Sequence, residues 1–349
     1  MPKRLGTRTV LLENQPTVIG NAAIVGKTEG EGPLAAEFDR VHQDDTVGKA
    51  SFEQAESAFQ REAIVCALEK AGKQPNEVDF ILSGDLLAQC IGSAFGVRDL
   101  GIPFLGLYGA CSTMALSLGL ASVLVDSGAA NLAVAATSSH FASAERQFRQ
   151  PLEYGGQKPP TAQRTATAAG ATVLTGEQNA KKSAAAGQKI APQIAAVTFG
   201  KIVDLGIKDA NNMGAAMAPA AADTIAAFLK DTGTKPTDYD LILTGDLGTV
   251  GSALLAELLE KDYNIDIRAV HKDCGLLLYD REKQDVHAGG SGCGCAASVF
   301  NSYILSRVKT GELKKVLLTA TGALMSLTSS LQGESIPSVA HAVLVTGNA

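Results

Sequence analysis

The chain of 349 residues has no tryptophan, and aromatic residues make up only 5% of it. Charged residues are also scarce, at 19%, whereas apolar residues reach 46% and glycines number 36. Disordered chains are rich in charge and poor in apolar residues, so this composition excludes disorder and indicates closely packed layers of small side chains. The formal charge of −6 provides no basic surface for phosphates, which excludes nucleic acid as a partner.

Long apolar runs and a disulfide framework are absent as well. No run is long enough to cross a bilayer, and the segment after the basic start never reaches the apolar stretch of a signal peptide. Six cysteines in so long a chain do not resemble the framework of a small secreted domain. Cys293 and Cys295 lack the paired spacing of a zinc site, so no metal is expected there. We expect a protein of a reducing cytoplasm, which reaches a membrane only through a partner.

Cys111 has the surroundings of an acyl-transfer nucleophile. It follows a strand-like run over 104–108 and a turn formed by Gly109 and Ala110, and an apolar helix is predicted over 112–127. The start of a helix lowers a cysteine pKa below its usual value of about 8.5. We therefore expect Cys111 at the floor of a pocket, with a thiol more reactive than that of Cys66, which lies inside a helical apolar run. The alternative is a small core residue.

The chain repeats a segment of itself. Residues 72–86 read GKQPNEVDFILSGDL, and residues 233–247 read GTKPTDYDLILTGDL, with eight identities at constant offset. Each copy follows a helical apolar pattern, over 52–68 in the first and 221–229 in the second. The repeated unit is therefore a helix, a turn containing glycine and proline, and a buried strand.

The parallel continues downstream of both copies. The glycine-rich run 289–295 precedes a helix predicted over 296–308, as the turn with Cys111 precedes its own helix. Paired strands are predicted at 131–137 and 315–321, and at 171–175 and 342–346. Alternating helices and strands favour an α/β fold with parallel or mixed sheets. We predict two homologous halves, 1–180 and 181–349, packed around their two buried helices, with a long loop over 141–167 that covers the pocket or forms an inert surface excursion.

This combination of strand, cysteine turn, buried helix and duplicated halves resembles the thiolase fold, the scaffold of thiolases and ketoacyl synthases. The resemblance covers nearly the whole chain. It implies a layered αβαβα core. It also implies a homodimer that pairs through an edge strand of the sheet.

Nine short runs, in order, further resemble the stage V sporulation protein AD family. They are GDLL (84–87), GACST (109–113), ATSSH (136–140), ERQFR (145–149), EYGGQKP (153–159), MAPAAADTI (217–225), DLILTGDL (240–247), AGGSGC (288–293) and ESIP (334–337). The resemblance implies a non-catalytic protein that binds dipicolinic acid, pyridine-2,6-dicarboxylate. It implies action with other SpoVA membrane proteins in moving that ligand into the forespore, and a location in the cytoplasm or peripheral at the forespore or spore inner membrane.

The catalytic residues of the fold are not retained at the expected positions. Condensing enzymes of this kind surround the cysteine with His and His, or His and Asn. When this chain is aligned with that pattern, those positions fall at Gly245 or Asp246 and at Cys293. An acid at Asp246 raises the pKa of a neighbouring thiol. Binding without turnover is therefore favoured. The alternatives are an acyltransferase or condensing enzyme that uses Cys111, with His140 as the best placed rescuing base, and a structural subunit whose pocket is vestigial.

Dipicolinate is a flat dianion, so its site must offer donors or cations to two carboxylates. Backbone N–H groups at the start of the Cys111 helix suit one carboxylate. Basic side chains of the long loop suit the other. The predicted ligand-binding residues are Asp85, Cys111, His140, Arg146, Arg149, Lys158, Asp246 and Cys293. No cofactor is obligatory; Asp85 and Asp246 either hold donors in place, bind a Ca²⁺ that enters with the ligand, or cap neighbouring helices.

Overall fold

The computed structural model describes residues 1–148, 158–176 and 190–348. The elements up to residue 176 are β1 (Lys3–Leu5), β2 (Thr9–Leu11), β3 (Thr17–Val25), α1 (Lys27–Gly30), β4 (Arg40–Val41), α2 (Phe52–Lys70), β5 (Phe80–Gly84), α3 (Ile91–Val97), β6 (Phe104–Gly106), α4 (Thr113–Asp126), β7 (Leu132–Ser139), α5 (Phe141–Phe148), β8 (Arg164–Thr165) and β9 (Ala168–Thr175).

From residue 190 onward the elements are β10 (Ala191–Phe199), α6 (Met213–Thr232), β11 (Leu241–Thr244), α7 (Gly248–Tyr263), β12 (His271–Asp273), α8 (Cys274–Leu278), β13 (Gly290–Ser291), α9 (Cys293–Val299), α10 (Leu305–Thr310), β14 (Lys315–Ala323), α11 (Leu327–Leu331) and β15 (Ser338–Asn348). A π-helical stretch, Phe300–Ile304, joins α9 to α10. None of the described helices is both long and apolar enough to cross a membrane.

Two sets of five strands have the same order and the same directions. The first set runs β6-β5-β7-β9-β3, and the second runs β12-β11-β14-β15-β10. In each set the first two pairings are parallel and the last two are antiparallel. The sets join where β3 meets β10 at the single pair Thr17 and Gln193. The predicted boundary between residues 180 and 181 lies outside the described residues.

Helices and sheets alternate in five layers. Helix α2 packs on the outer face of the first strand set, and α6 packs on the outer face of the second. Helices α4 and α9 lie between the sets and contact strands of both halves. The central apolar core, which includes Met114, Leu118, Val299 and Phe300, is fully buried around these two helices. The predicted αβαβα layering is confirmed, because each sheet needs both faces covered.

Local sequence signals set the ends of the long helices. The Ser51 side chain accepts the N–H of Gln54 at the start of α2, and Asn212 does the same for Ala215 at the start of α6. Gly233 ends α6 in the left-handed conformation, with φ of 66°. The Ser51 cap explains why α2 begins at the limit of its apolar pattern, whereas α6 begins eight residues before the pattern predicted over 221–229 and ends three residues after it.

The segment 141–167 was predicted as a loop and is partly regular. Residues Phe141–Phe148 form α5, which directly follows β7, and Arg164–Thr165 form β8. The loop prediction was wrong for these residues, since alanines and alternating polar residues over 141–148 support one helical face that packs inward. The helix predicted over 296–308 starts three residues earlier, at Cys293.

Candidate functional site

Cys111 lies in a tight turn of 3-10 helix, Ala110–Ser112, directly before α4. The preceding Ala110 has φ of 48°, in the left-handed region that non-glycine residues rarely occupy. Side chains of the turn lock it from within: Ser112 Oγ donates to Gly109 O at 2.6 Å, and Thr113 Oγ1 donates to Ala110 O at 2.7 Å. The turn therefore holds the cysteine in one fixed place, where its residue is only 5% exposed.

Asp246 and Cys293, which the resemblance to condensing enzymes predicted beside Cys111, do lie beside it. The pKa of the Cys111 thiol is raised well above its usual value, first by burial, then by the charge of Asp246 and by the hydrogen bond that the thiol donates to Asp246. The expected lowering by the helix start is thus wrong. Burial and a neighbouring acid outweigh the helix end, so this thiol stays protonated at neutral pH.

Asp246 follows strand β11 and is fully buried. One of its oxygens, Oδ2, accepts the N–H of Gly292 at 2.7 Å and the hydroxyl of Ser291 at 3.3 Å. The other oxygen, Oδ1, has no conventional hydrogen-bond partner among the described residues. Burial raises the pKa of Asp246 to about 7, although the Cys111 thiol and Gly292 partly oppose the shift.

Cys293 begins helix α9 and is also fully buried. Its thiol donates to the backbone oxygen of Ser138 at 3.0 Å. Burial raises its pKa well above the usual value, and the acids Glu56 and Asp85 add to the shift. Cys293 therefore offers no base to Cys111.

A small cavity of about 30 Å³ lies over the Cys111 thiol. Its lining comes from both halves of the chain and consists of Leu86, Ala110, Cys111, Glu145, Phe148, Thr165, Met213, Ser291, Ala323 and Met325. The pairing of β8 with β13 places Thr165 opposite Ser291 at its wall. A space of this size holds a water molecule or two, so an aromatic diacid enters only if lining side chains move.

Behind the lining residues Ala110 and Ala323, backbone packs against backbone and forms what we call the floor of the cavity. A Cβ at Gly294 would overlap the carbonyl oxygen of Ala168, and a Cβ at Gly322 would overlap that of Gly109. Glycine is required at both positions because no side chain fits. The floor is therefore rigid, whereas flexible side chains such as Met213 and Met325 form other parts of the wall.

His140 does not line this cavity. Its Nε2 donates to the carbonyl oxygen of Asp45 at 2.9 Å, and its Nδ1 accepts the N–H of Ala142 at 3.2 Å. The ring is 1% exposed beside Phe52 and Phe59, and burial lowers its pKa. As placed, both ring nitrogens of His140 have backbone partners, so neither is offered to a ligand or to Cys111.

The described basic residues that were predicted to contact the ligand lie in different places. Arg146 on α5 forms an ion pair with Glu53 at the surface. Lys158 pairs with Glu145 at 2.8 Å, and Glu145 is a residue of the cavity wall. Arg149 lies outside the described residues. Of the two described cations, Lys158 is therefore the one whose ion-pair partner lines the cavity.

Asp85 is fully buried at the end of β5. Its carboxylate accepts the N–H of Leu87 at 2.8 Å, and the N–H and hydroxyl of Ser93 at 2.6 and 2.7 Å. It therefore caps α3, one of the three roles predicted for it. Within the described ranges no three His, Cys, Asp or Glu side chains group as metal ligands, and a Ca²⁺ that enters together with the ligand stays a prediction.

Sequence reasoning missed Glu145, although it lies in the run ERQFR. Helix α5 points Ser143, Ala144 and Glu145 inward and leaves Arg146 half exposed. The available signal was the helical spacing of Phe141, Ala144 and Phe148, which puts the neighbouring Glu145 near the buried face, where a carboxylate requires a partner. Ser291 and Thr165 at the cavity wall were missed as well, since their pairing depends on β8 and β13.

The layered fold and the buried cysteine turn define a class of protein, the thiolase-like fold of condensing enzymes. Similar solved structures include 3-oxoacyl-[acyl-carrier-protein] synthase III from Aquifex aeolicus VF5, at 15% identity over 95% of this chain and 99% of that chain, with a TM-score of 0.55. Cerulenin-bound OleA from Xanthomonas campestris is 14% identical over 99% and 98% of the two chains, with a TM-score of 0.58. At such identities the likeness shows the fold alone.

The sequence comparison is more specific than the fold. Residues 6–346 match the family described as stage V sporulation protein AD. Stage V sporulation protein AD from Bacillus subtilis (strain 168) is 44% identical over 342 residues, which cover 98% of this chain and 97% of that protein. The chain therefore belongs to the SpoVAD family of sporulation proteins.

Proposed function

We propose that this protein is a non-catalytic binding protein for dipicolinate that acts with SpoVA membrane proteins in uptake of that ligand into the forespore. The observation that carries the non-catalytic part is the pairing of the Cys111 thiol with the Asp246 carboxyl at a buried cavity. A nucleophilic cysteine needs a base or a lowered pKa. Here the neighbouring groups raise the pKa of the thiol instead.

His140, the best placed rescuing base by sequence, is not available to replace the missing base. His140 has both ring nitrogens bonded to backbone groups, as described above. Cys293 has a thiol whose pKa is also raised. These neighbours support binding in the cavity without turnover.

The choice of ligand rests on the family resemblance, and the cavity is compatible with it under one condition. Dipicolinate is larger than the space over Cys111, so side chains of the wall must move to admit it. Phe148 and Glu145 on α5, with Met213 and Met325, are the groups on the flexible side. Lys158, paired with Glu145, supplies the cation that a carboxylate of the ligand needs.

Calorimetric titration of the full chain with dipicolinate, with and without Ca²⁺, tests the proposal. We expect saturable binding of one ligand, and Lys158→Ala to weaken it by roughly ten- to a hundredfold, the effect of losing one charged contact. Lys201→Ala is the matched control, because Lys201 also pairs with an acid, Asp223 at 3.1 Å, but lies away from the cavity. An absence of binding under both conditions would refute the proposal.

Intact-mass spectrometry with short-chain acyl-CoA tests the absence of turnover. We expect no stable thioester on Cys111. An adduct that disappears in Cys111→Ala, together with condensation onto a malonyl or acetyl acceptor, would establish the condensing-enzyme alternative.

We also propose a homodimer and a peripheral location at the forespore or spore inner membrane. Strand β6 ends the sheet, and its Leu105 is 40% exposed. Ile91, Phe95 and Tyr108 are also at least 41% exposed, a set of apolar side chains that supports burial against a second copy. Light scattering after size exclusion should give twice the chain mass, and Leu105→Lys should yield the monomer.

A further inference from the structure

Asp246 stands beside the cavity with one oxygen, Oδ1, that accepts no described N–H or O–H donor, and no described cation is among the groups that shift its pKa. It is fully buried, and Oδ1 has no conventional partner among the described residues. The charged neighbour with the largest effect on it is another acid, Asp273. An ionised carboxylate in such a place lacks both water and a counter-ion, so the neutral acid is the less costly state.

The position of Asp246 makes its charge matter to any anion in the cavity. Cys111 and Ser291 line the cavity, and both contact Asp246. A carboxylate of a ligand in the cavity is therefore one side chain away from Asp246. Like charges at that separation, shielded from water, repel each other strongly.

We propose that the cavity takes up one proton from solvent with each dicarboxylate dianion, and that Asp246 holds this proton. The inference rests on the proposed function and deepens it. The proton has a place on Oδ1, which accepts no described N–H or O–H donor, and the resulting O–H can donate to the ligand or, in place of the bond that Asp246 accepts from the thiol, to the Cys111 sulfur. No other bond forms or breaks.

The thiols and the acid nearest to Asp246 do not supply this proton. Burial raises the pKa of each neighbouring thiol well above its usual value, so these groups stay neutral. The four thiols are those of Cys111, Cys274, Cys293 and Cys295. Burial raises the pKa of Asp273 only to about 6, and its oxygens accept donors from Thr244, Leu247 and Gly248.

Four further acids face the site from other elements; one is Asp85, whose pKa burial also raises and whose oxygens accept the donors of Leu87 and Ser93. Glu145 lies across the cavity and is paired with Lys158. Burial raises the pKa of Glu29 to about 7 and that of Glu56 to about 8, but Glu29 bonds to Tyr279, and Glu56 bonds to Ser143 on α5. Neither of these two lines the cavity. Both titrate in the same range as Asp246, so they are the groups that an experiment must separate from it.

Calorimetry with dipicolinate in EDTA, in two buffers of different ionisation enthalpy, counts the protons taken up. The pKa of Asp246 in the protein without ligand is about 7. We therefore expect an uptake close to one proton per ligand at about pH 8 and close to zero at about pH 6. The affinity should fall by up to about tenfold per pH unit above pH 7. Asp246→Asn should bind without proton uptake and without this pH dependence, and should exceed the wild-type affinity at about pH 8.5 by roughly thirtyfold.

Glu56→Gln and Glu29→Gln are the matched controls, and both should retain the wild-type uptake. Uptake that persists in Asp246→Asn, or that disappears in a control, would overturn the inference. If Asp246→Asn fails to fold, the wild-type titration decides, since binding at about pH 8 without uptake, or binding that requires Ca²⁺ and takes up no proton, overturns it. No binding of dipicolinate at any pH would instead refute the proposed function.

Discussion

Two aspartates at equivalent positions of the sequence repeat have different roles in the structure. Asp85 uses both carboxylate oxygens for donors of Leu87 and Ser93 and caps a helix. Asp246, in the same sequence Gly-Asp-Leu, faces Cys111 and leaves one oxygen without a conventional partner. The same local sequence therefore serves a structural purpose in one half and borders the candidate site in the other.

The difference comes from a third carboxylate. The counterpart of Leu87 in the second copy is Gly248, and its N–H goes to Asp273 at 3.1 Å rather than to Asp246. Asp273 also accepts the N–H of Leu247 at 2.8 Å. Because Asp273 accepts these backbone donors, Asp246 does not cap the helix that follows it. A repeat thus predicts where a residue lies more reliably than what it bonds to.

The largest expected effect is on the pH dependence of stability in Asp246→Asn. The folded pKa of about 7 lies above the usual value of about 3.9 for an unfolded aspartate, so the native state binds more protons between these values. Wild-type stability from this group is therefore full below about pH 4 and is lost as the pH rises to about 7. The variant lacks this loss, and should gain up to about 4 kcal/mol relative to wild type across that window. Urea unfolding at several pH values measures it, and a constant difference would contradict the raised pKa.

Asp85→Ala should have the next largest effect, a loss of stability. It leaves three buried donors of Leu87 and Ser93 without an acceptor, which should lower the free energy of unfolding by about 2–3 kcal/mol at neutral pH. Asp85→Asn keeps one acceptor oxygen and should lose less. Urea unfolding of both variants measures this. Wild-type stability in Asp85→Ala would show that Asp85 is not a cap.

The thiol beside Asp246 offers a smaller effect. Since Cys111 is buried and its pKa is raised well above the usual value, iodoacetamide should modify Cys66 faster than Cys111, the reverse of the order expected from helix position. Asp246→Asn removes the neighbouring charge and should speed the modification of Cys111 by roughly tenfold, with no change at Cys66. Peptide mapping during the reaction measures both rates. Equal Cys111 rates in wild type and variant would separate the thiol from Asp246.

The smallest effect concerns the turns before the two cysteines of the site. Ala110 precedes Cys111 with φ of 48°, and Gly292 precedes Cys293 with φ of 97°. Ala110→Gly relieves a left-handed alanine and should change the free energy of unfolding by less than about 1 kcal/mol. Gly292→Ala is the control, and should cost more, because its Cβ would lie 2.8 Å from Ser139 Oγ. Thermal unfolding of both variants ranks them, and an equal cost would remove the distinction.

Much of the fold was predictable because its signals are local and repeated. The strand predicted over 315–321 begins at the same residue in the structure and ends two residues later, and the helix predicted over 112–127 is one residue shorter at each end. Segment 141–148 was not recognised as α5, since a short helix among loop-like residues gains its stability from packing. The sheet order could not be read from the sequence, because it depends on contacts between distant strands.

The candidate site was predictable where the repeat fixed it, and not where packing decided. The resemblance to condensing enzymes was enough to predict that Asp246 and Cys293 lie beside Cys111. The orientation of His140 depends on the carbonyl of Asp45, which is far away in sequence, and no local pattern indicates it. The pKa of Cys111 depends on complete burial, which outweighs the helix start that the sequence does reveal.

The glycines under the cavity determine which ligands the scaffold can acquire in evolution or by design. Gly294 and Gly322 fix the floor, and a larger residue at either overlaps a carbonyl oxygen. Changes of ligand size must therefore come from the opposite wall, where Phe148 and the two methionines stand. A library that varies only those three positions should sample new ligands while keeping the architecture. Substitutions at the floor should instead be selected against, whatever the ligand.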